Sequence, residues 1–186
     1  MLAVLAAPLL VLALAAPAAA TPTRTCAERG EAGAQQPFRA SGPGGLRLGP
    51  AIFVNLDRVK GLTPAELRRS QGRLPFHKVG LLVKAGRVIR LSIASESRAF
   101  ARLGYDGGNR SATGALDRHP ASVVIRACPR DEPAFSYDGV VGPATAFPGG
   151  FITDGSGIAR CVTIELHEVG SRRTYTRAVP FGAIRC

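Results

Sequence analysis

A chain of 186 residues with 46% hydrophobic content has room for one domain that buries roughly 70% of its chain surface. Its formal net charge of +11 suggests nucleic acid or an acidic polymer as partner, yet all of its 24 basic residues except Lys60, Lys78 and Lys84 are arginines. They are scattered singly or in pairs such as Arg68-Arg69 and Arg172-Arg173, as a GC-rich genome writes them, and with no Trp and only Tyr105, Tyr137 and Tyr175 the chain lacks platforms for stacking bases or sugars, so no specific nucleic-acid partner is expected.

Residues 1–20, MLAVLAAPLLVLALAAPAAA, are uncharged and end in small residues before Thr21-Pro22. An apolar run closed by Ala18-Ala19-Ala20 reads as a secretory signal peptide, although it has no basic n-region. The same run nearly suffices to span a bilayer, so an uncleaved anchor is the alternative, and the only membrane contact expected is through it. A lipid-attachment site does not fit, because Thr23-Arg24-Thr25 precede Cys26. Residues 21–45, rich in Gly, Ala, Gln and Pro, form an extended lead-in expected to fray. Residues 46–186 form the folded domain.

From Leu46 onward, short runs of β-branched and aliphatic residues alternate with Gly, Pro and Asp clusters, the rhythm of an all-β antiparallel sandwich, immunoglobulin-like or related. One short connector helix is signalled: Thr63-Pro64-Ala65-Glu66 is a capping box with proline at the first helical position, and the stretch ends at Gly72.

The run KVGLLVKAGRVIRLSIA, Lys78 to Ala94, reads as a hairpin. A three-residue loop Lys84-Ala85-Gly86 sets Leu81 opposite Ile89 and Val79 opposite Leu91, giving one apolar face and leaving Gly86 free for the left-handed region. Ser122–Cys128 alternates with Val123, Ile125 and Ala127 inward, and Arg160–Val169 with Val162, Ile164 and Leu166 inward. Thr174–Phe181 completes a second hairpin around Gly170-Ser171-Arg172-Arg173, with Val162 opposite Phe181 and Ile164 opposite Val179. Between these runs lies FPGGF, Phe147 to Phe151, followed by TDGSG. Proline fixes its own φ and removes a donor, and two glycines permit unusual backbone, so the motif marks a bend where a strand passes between sheets, anchored by its two rings. A glycine-lined anion nest is the alternative, without the lysine or helix start of a phosphate loop.

The four cysteines, Cys26, Cys128, Cys161 and Cys186, follow the export segment and imply two disulfides; no Cys-x-x-Cys pair supports a redox or zinc site. With Cys161 opposite Gly182, Cys186 lies roughly 13 Å further along unless the chain folds back, so Cys128–Cys161 with Cys26–Cys186 is the preferred pairing.

No catalytic constellation stands out. A strained Gly-x-Ser-x-Gly elbow is missing, and neither Gly155-Ser156-Gly157 nor Gly108-Asn109-Arg110-Ser111 matches it. His77 reads as an edge residue on an apolar face, His119 precedes Pro120 in a loop, and His167 shares an outward face with Glu165 and Thr163. None has a partner at metal-ligand spacing. Asp131-Glu132 are adjacent in a loop, and Glu165 and Glu168 point to opposite faces, so no carboxylate pair is set for glycoside hydrolysis. Gly104–Ser111, GYDGGNRS, lacks the alternating ligands and closing Glu of a calcium loop. Neither metal nor cofactor is expected.

Taken together, FRASGPGGLRLGP, the Lys78–Ala94 run, ACP, VGPATAFPGGF, RCVTIEL and PFGAIRC resemble a group of proteins predicted to be secreted by high-GC Gram-positive bacteria. The resemblance covers most of the chain after residue 20 and rests on turns, strand ends and cysteines. It implies export and an all-β fold, and carries no activity.

The leading expectation is a secreted or envelope-associated, non-enzymatic binding or structural module whose partner is a cell-envelope component or another protein. It requires that no pocket gather His77, His119 or His167 with an acid or hydroxyl. A small secreted hydrolase is the first rival, with His167 and Glu165 as its first pair and a Ser or Cys within about 3 Å of His167 as its mark. An electrostatic binder of anionic cell-wall polymers is the second.

Overall fold

The structure is a computed structural model that describes residues 20–28, 45–106, 112–131 and 144–186. The apolar run before residue 20, residues 29–44 of the lead-in, most of the GYDGGNRS loop and most of the Pro129–Ala146 loop therefore lie outside the described residues. The fold is all-β and sandwich-like.

One layer is a five-stranded sheet in the order β1-β8-β6-β11-β12. Its strands are β1 (Thr23–Arg24), β6 (Val88–Ile93), β8 (Ser122–Arg126), β11 (Arg160–Glu168) and β12 (Thr174–Phe181). Facing it are a four-stranded sheet, β2-β3-β5-β9, and a three-stranded sheet, β4-β10-β7. Their strands are β2 (Leu46–Leu48), β3 (Ala51–Val54), β5 (Gly80–Lys84) and β9 (Ala144–Phe147), then β4 (Phe76–Lys78), β7 (Ala101–Leu103) and β10 (Gly150–Thr153).

The two smaller sheets are halves of one bent layer. Leu81 pairs with Phe147 in one and Lys78 with Gly150 in the other, which is a single antiparallel register continued through the corner. At the corner itself the Val79 amide donates to the Gly149 carbonyl at 3.0 Å. Thus β4–β5 and β9–β10 are two long strands that bend together at Val79 and Pro148-Gly149.

The core lies between the layers. Ile89, Leu91, Val123, Ile125, Val162, Ile164 and Leu166 from the five-stranded sheet are all fully buried, as the alternation predicts. They meet Phe53, Leu81, Val83, Phe147 and Phe151 from the bent layer in one cluster. Phe151 packs edge-on against Phe181, with centroids 5.4 Å apart. A one-residue slip of β6 would turn Ile89, Leu91 and Ile93 to solvent at about 1.5–3 kcal/mol each, so burial fixes the register.

The Lys78–Ala94 run is not a hairpin. β5 pairs with β3 and β9, whereas β6 pairs with β8 and β11. The chain crosses from one layer to the other at Ala85-Gly86, where Gly86 has φ +73° and donates its N–H to the Cys128 carbonyl at 2.7 Å. Leu81 and Ile89 do share one apolar environment, but face to face across the core and not side by side in a ladder.

The predicted connector helix is likewise corrected. The capping box forms: the Thr63 N–H and Oγ1 both donate to Glu66 Oε2 at 2.8 Å, and the Glu66 N–H donates to Thr63 Oγ1 at 3.3 Å. The Leu67 N–H bonds the Thr63 carbonyl at 3.1 Å and the Arg68 N–H the Ala65 carbonyl at 3.2 Å, and then the helix stops. Leu67 is drawn into the core, its carbonyl is claimed by the Gly157 N–H at 3.2 Å, and Arg68 bridges to Ser156. The helix that forms is α1 (Asp57–Lys60), one turn earlier.

In the second hairpin Val162 faces Val179 and His167 faces Thr174, two residues out of the expected register. A shift of two keeps every side chain on its face, so the apolar pattern could not distinguish the two pairings. The lead-in is also more ordered at its start than expected: β1 runs parallel to β8, with Thr23 opposite Val124 and Arg24 opposite Ile125.

Candidate functional site

The four predicted cysteines form two disulfides with a pairing other than the preferred one. Cys26 joins Cys128, with Cα atoms 4.6 Å apart, and Cys161 joins Cys186 at 5.6 Å. The first follows from β1, which delivers Cys26 alongside the end of β8. The second depends on the fold-back that sequence spacing leaves open. Gly182, at φ +94°, turns the chain while donating its N–H to the Val59 carbonyl at 2.7 Å, and the Ile184 N–H bonds the Gly182 carbonyl at 2.8 Å. Cys128 is fully buried, whereas Cys161 and Cys186 are exposed.

The FPGGF motif is the corner of the bent layer: the chain leaves the four-stranded sheet at Phe147 and enters the three-stranded one at Gly150. Both rings are buried as anchors. Its glycines are required by close approach and not by positive φ. A Cβ on Gly149 would meet the Tyr105 ring, and Tyr105, itself fully buried, donates its hydroxyl to the Val79 carbonyl at 2.8 Å. Burial drives the Tyr105 phenol pKa well above its ordinary value, so the ring stays neutral. The TDGSG segment is a turn: Asp154 Oδ1 accepts from the Ser156 N–H at 2.9 Å, and the Gly155 carbonyl accepts from the Arg69 N–H at 3.1 Å.

That last bond ties the TDGSG turn to Arg69, next to a concavity of the described surface. A groove of about 800 Å³ runs between α1, the capping-box turn, the tight turn at Ser70–Arg73 and β4. Its base includes Val59, Leu74 and His77. The walls are held by backbone: Gly182 to Val59, Gly157 to Leu67, and the Leu74 N–H to the Ala112 carbonyl at 2.8 Å. The tight turn has positive φ at both central residues, Gln71 at 51° and Gly72 at 74°, the geometry of a type I′ turn.

His77 is the histidine of this groove. It is 9% exposed, its Nε2 lies 3.1 Å from Thr153 Oγ1, and Phe181 packs edge-on at 6.0 Å. Burial lowers its pKa to about 4, with the nearby Glu66 carboxylate opposing the shift. Glu66 also lines the groove, so one pocket does gather a histidine with an acid. The expectation that none would is corrected. The physical reason is that the capping-box turn folds over β4, which sequence separation conceals.

The other candidates stay apart. His167 Nδ1 lies 3.3 Å from Thr174 Oγ1, and no Ser or Cys appears as its hydrogen-bond partner among the described residues. His119 Nε2 lies 3.3 Å from the Thr113 carbonyl. Glu165 faces Thr176 on the outer surface, while Glu168 is buried and takes a hydrogen bond of 2.6 Å from Arg87. Among the described residues no three His, Cys, Asp or Glu side chains cluster in a way that could hold a metal.

Sequence reasoning missed the groove because its polar lining comes from four separate short elements. The signal was the density of charge between Arg58 and Lys78, where Lys60, Arg68, Arg69 and Arg73 also fall. Compared with protein-family models, curated proteins and solved structures, the chain matches none.

Proposed function

We propose that the protein acts outside the cytoplasmic membrane as a non-enzymatic binding module, with the groove over β4 as its ligand-facing surface. Export is supported by the apolar N-terminal run and by the two disulfides, which persist in oxidising compartments.

The observation that carries the binding reading is how His77 is engaged. A general base needs a pKa near working pH and an accessible proton donor. His77 is held near pKa 4, and its hydroxyl partner, Thr153, is fully buried and out of reach of any substrate. Ser70, which also lines the groove, makes no hydrogen bond to His77 among the described residues, and all four cysteines are oxidised. The groove therefore offers shape and charge without an activated nucleophile.

The test uses the exported protein incubated with isolated cell envelopes. Ala65→Trp, which fills the groove from an exposed position, should abolish retention, while Thr176→Trp on the outer face of β12 should leave it intact. Equal retention of both variants overturns the reading. So does release of soluble fragments from the envelopes that His77→Gln abolishes, which would establish a hydrolase instead.

A further inference from the structure

Resting on that reading, we infer that the groove ligand is a polymer of phosphate groups without bases, gripped by Arg58, Arg68, Arg73 and Lys78. These four cations line the groove against two carboxylates, Asp57 and Glu66. All four are exposed, and none makes an ion pair or side-chain hydrogen bond among the described residues. They contrast with Arg24 and Arg87, each matched to a glutamate, at 3.5 Å and 2.6 Å.

The two acids do not cancel this charge equally. Glu66 Oε2 already accepts two hydrogen bonds from Thr63, at 2.8 Å each, which turns that carboxylate toward the start of its own turn. Asp57, at the first position of α1, also lines the groove, so four cations face two acids there.

Rigidity favours a built surface over scattered charge. Arg68 is fixed in the backbone by its bridge to Ser156, and Arg73 by bridges to Ser70 and Thr113. Lys78 stands on β4, paired with Gly150. Their Cα positions are thus set before any ligand arrives, and only side-chain ordering remains as an entropic cost.

The chemistry of the cations suits an oxyanion such as phosphate. Guanidinium groups present paired N–H donors that match phosphate oxygens in bidentate fashion, better than a point charge does. A nucleic acid would add base stacking, and the groove has no exposed ring among the described residues to receive it. Phe76 is its one aromatic besides His77; it is half-buried and packed against the Leu74, Ala112 and Ile152 cluster. What fits is an open, flexible chain of phosphates that carries no bases.

Linear polyphosphate is the probe, with single-stranded DNA of equal charge as comparison. Titration across 50–300 mM salt should give polyphosphate binding whose log K falls against log salt with a slope of about −3, the value for some four released counterions on a single strand. Arg68→Glu with Arg73→Glu should weaken binding at least tenfold and flatten the slope by about 1.4. Arg126→Glu with Arg177→Glu, exposed on the five-stranded sheet, should change affinity less than twofold. Binding insensitive to salt, or equally weakened by both pairs, overturns the assignment, as does tighter binding of DNA than of polyphosphate. If the Arg68/Arg73 pair leaves envelope retention unchanged while Ala65→Trp abolishes it, the polyanion is wrong and the binding groove stands. If Ala65→Trp is also without effect, both fall.

Discussion

A side chain on Gly150 would run into the carbonyl oxygen of His77, the residue before Lys78, its partner across the β4–β10 ladder. The two strands touch at the point where the layer bends, and there is no flexible atom to move aside. We expect Gly150→Ala to destabilise the fold by at least ~3 kcal/mol, at the upper end for overpacking. Gly61, which has open space around it and a negative φ, should accept alanine with a change within about 1 kcal/mol. Urea unfolding of the two variants checks the contrast, and a Gly150→Ala protein as stable as the parent would mean that the corner yields where the structure leaves it no room.

The buried His77 makes stability depend on pH. The folded protein keeps the ring neutral down to about pH 4, while in the unfolded chain it takes up a proton near its ordinary value of 6.5. Between those values the unfolded state binds more protons, so the stabilisation is complete above about pH 6.5. It is lost progressively as the pH falls toward 4, by up to about 3 kcal/mol. In His77→Gln that part of the slope between pH 6.5 and 4 should vanish, as measured by thermal melts in steps of half a pH unit.

The disulfides should differ in accessibility and in worth. Cys161–Cys186 is exposed at both ends and closes 25 residues, while Cys128 of the other bridge is fully buried and closes 102. Under mild reductant, alkylation followed by peptide mass spectrometry should label Cys161 and Cys186 first. Breaking Cys26–Cys128 by paired serine substitutions should cost about 4–5 kcal/mol, and breaking the other about 3 kcal/mol.

Gln71 occupies the left-handed region, at φ 51°, where a residue with a Cβ pays for its conformation. Replacing it with glycine should raise stability by about 0.5–1 kcal/mol without altering the walls of the groove, as read from the unfolding midpoint at constant m-value.

Much of the architecture was legible because alternation reports burial directly. Val123, Ile125, Val162, Ile164 and Leu166 are core residues, and Phe147 to Phe151 is a crossing point, both for reasons visible in the chain. What alternation cannot report is who the partner is. Leu81 and Ile89 satisfy the same apolar pattern whether they lie side by side in a hairpin or face each other across a core. Val162 keeps its face whether it meets Val179 or Phe181. The capping box of Thr63 and Glu66 was readable and forms, but the length of the helical turn it starts is decided by Leu67 entering the core, a tertiary matter. The Cys161–Cys186 bridge hinged on one reversal at Gly182, whose cause is the distant Val59 carbonyl. The groove was the least legible, since its charges meet only when turns from separate elements fold over β4.

The brief parallel ribbon of Thr23 and Arg24 has a consequence for solubility. It occupies the outer side of β8, and Val124 gives its N–H to the Pro22 carbonyl at 2.9 Å. Without those few residues, held in place by Cys26, the β8 margin would present unsatisfied donors and acceptors to any passing copy. A proteolytic nick upstream of Cys26 that frees this ribbon therefore threatens aggregation before it threatens folding.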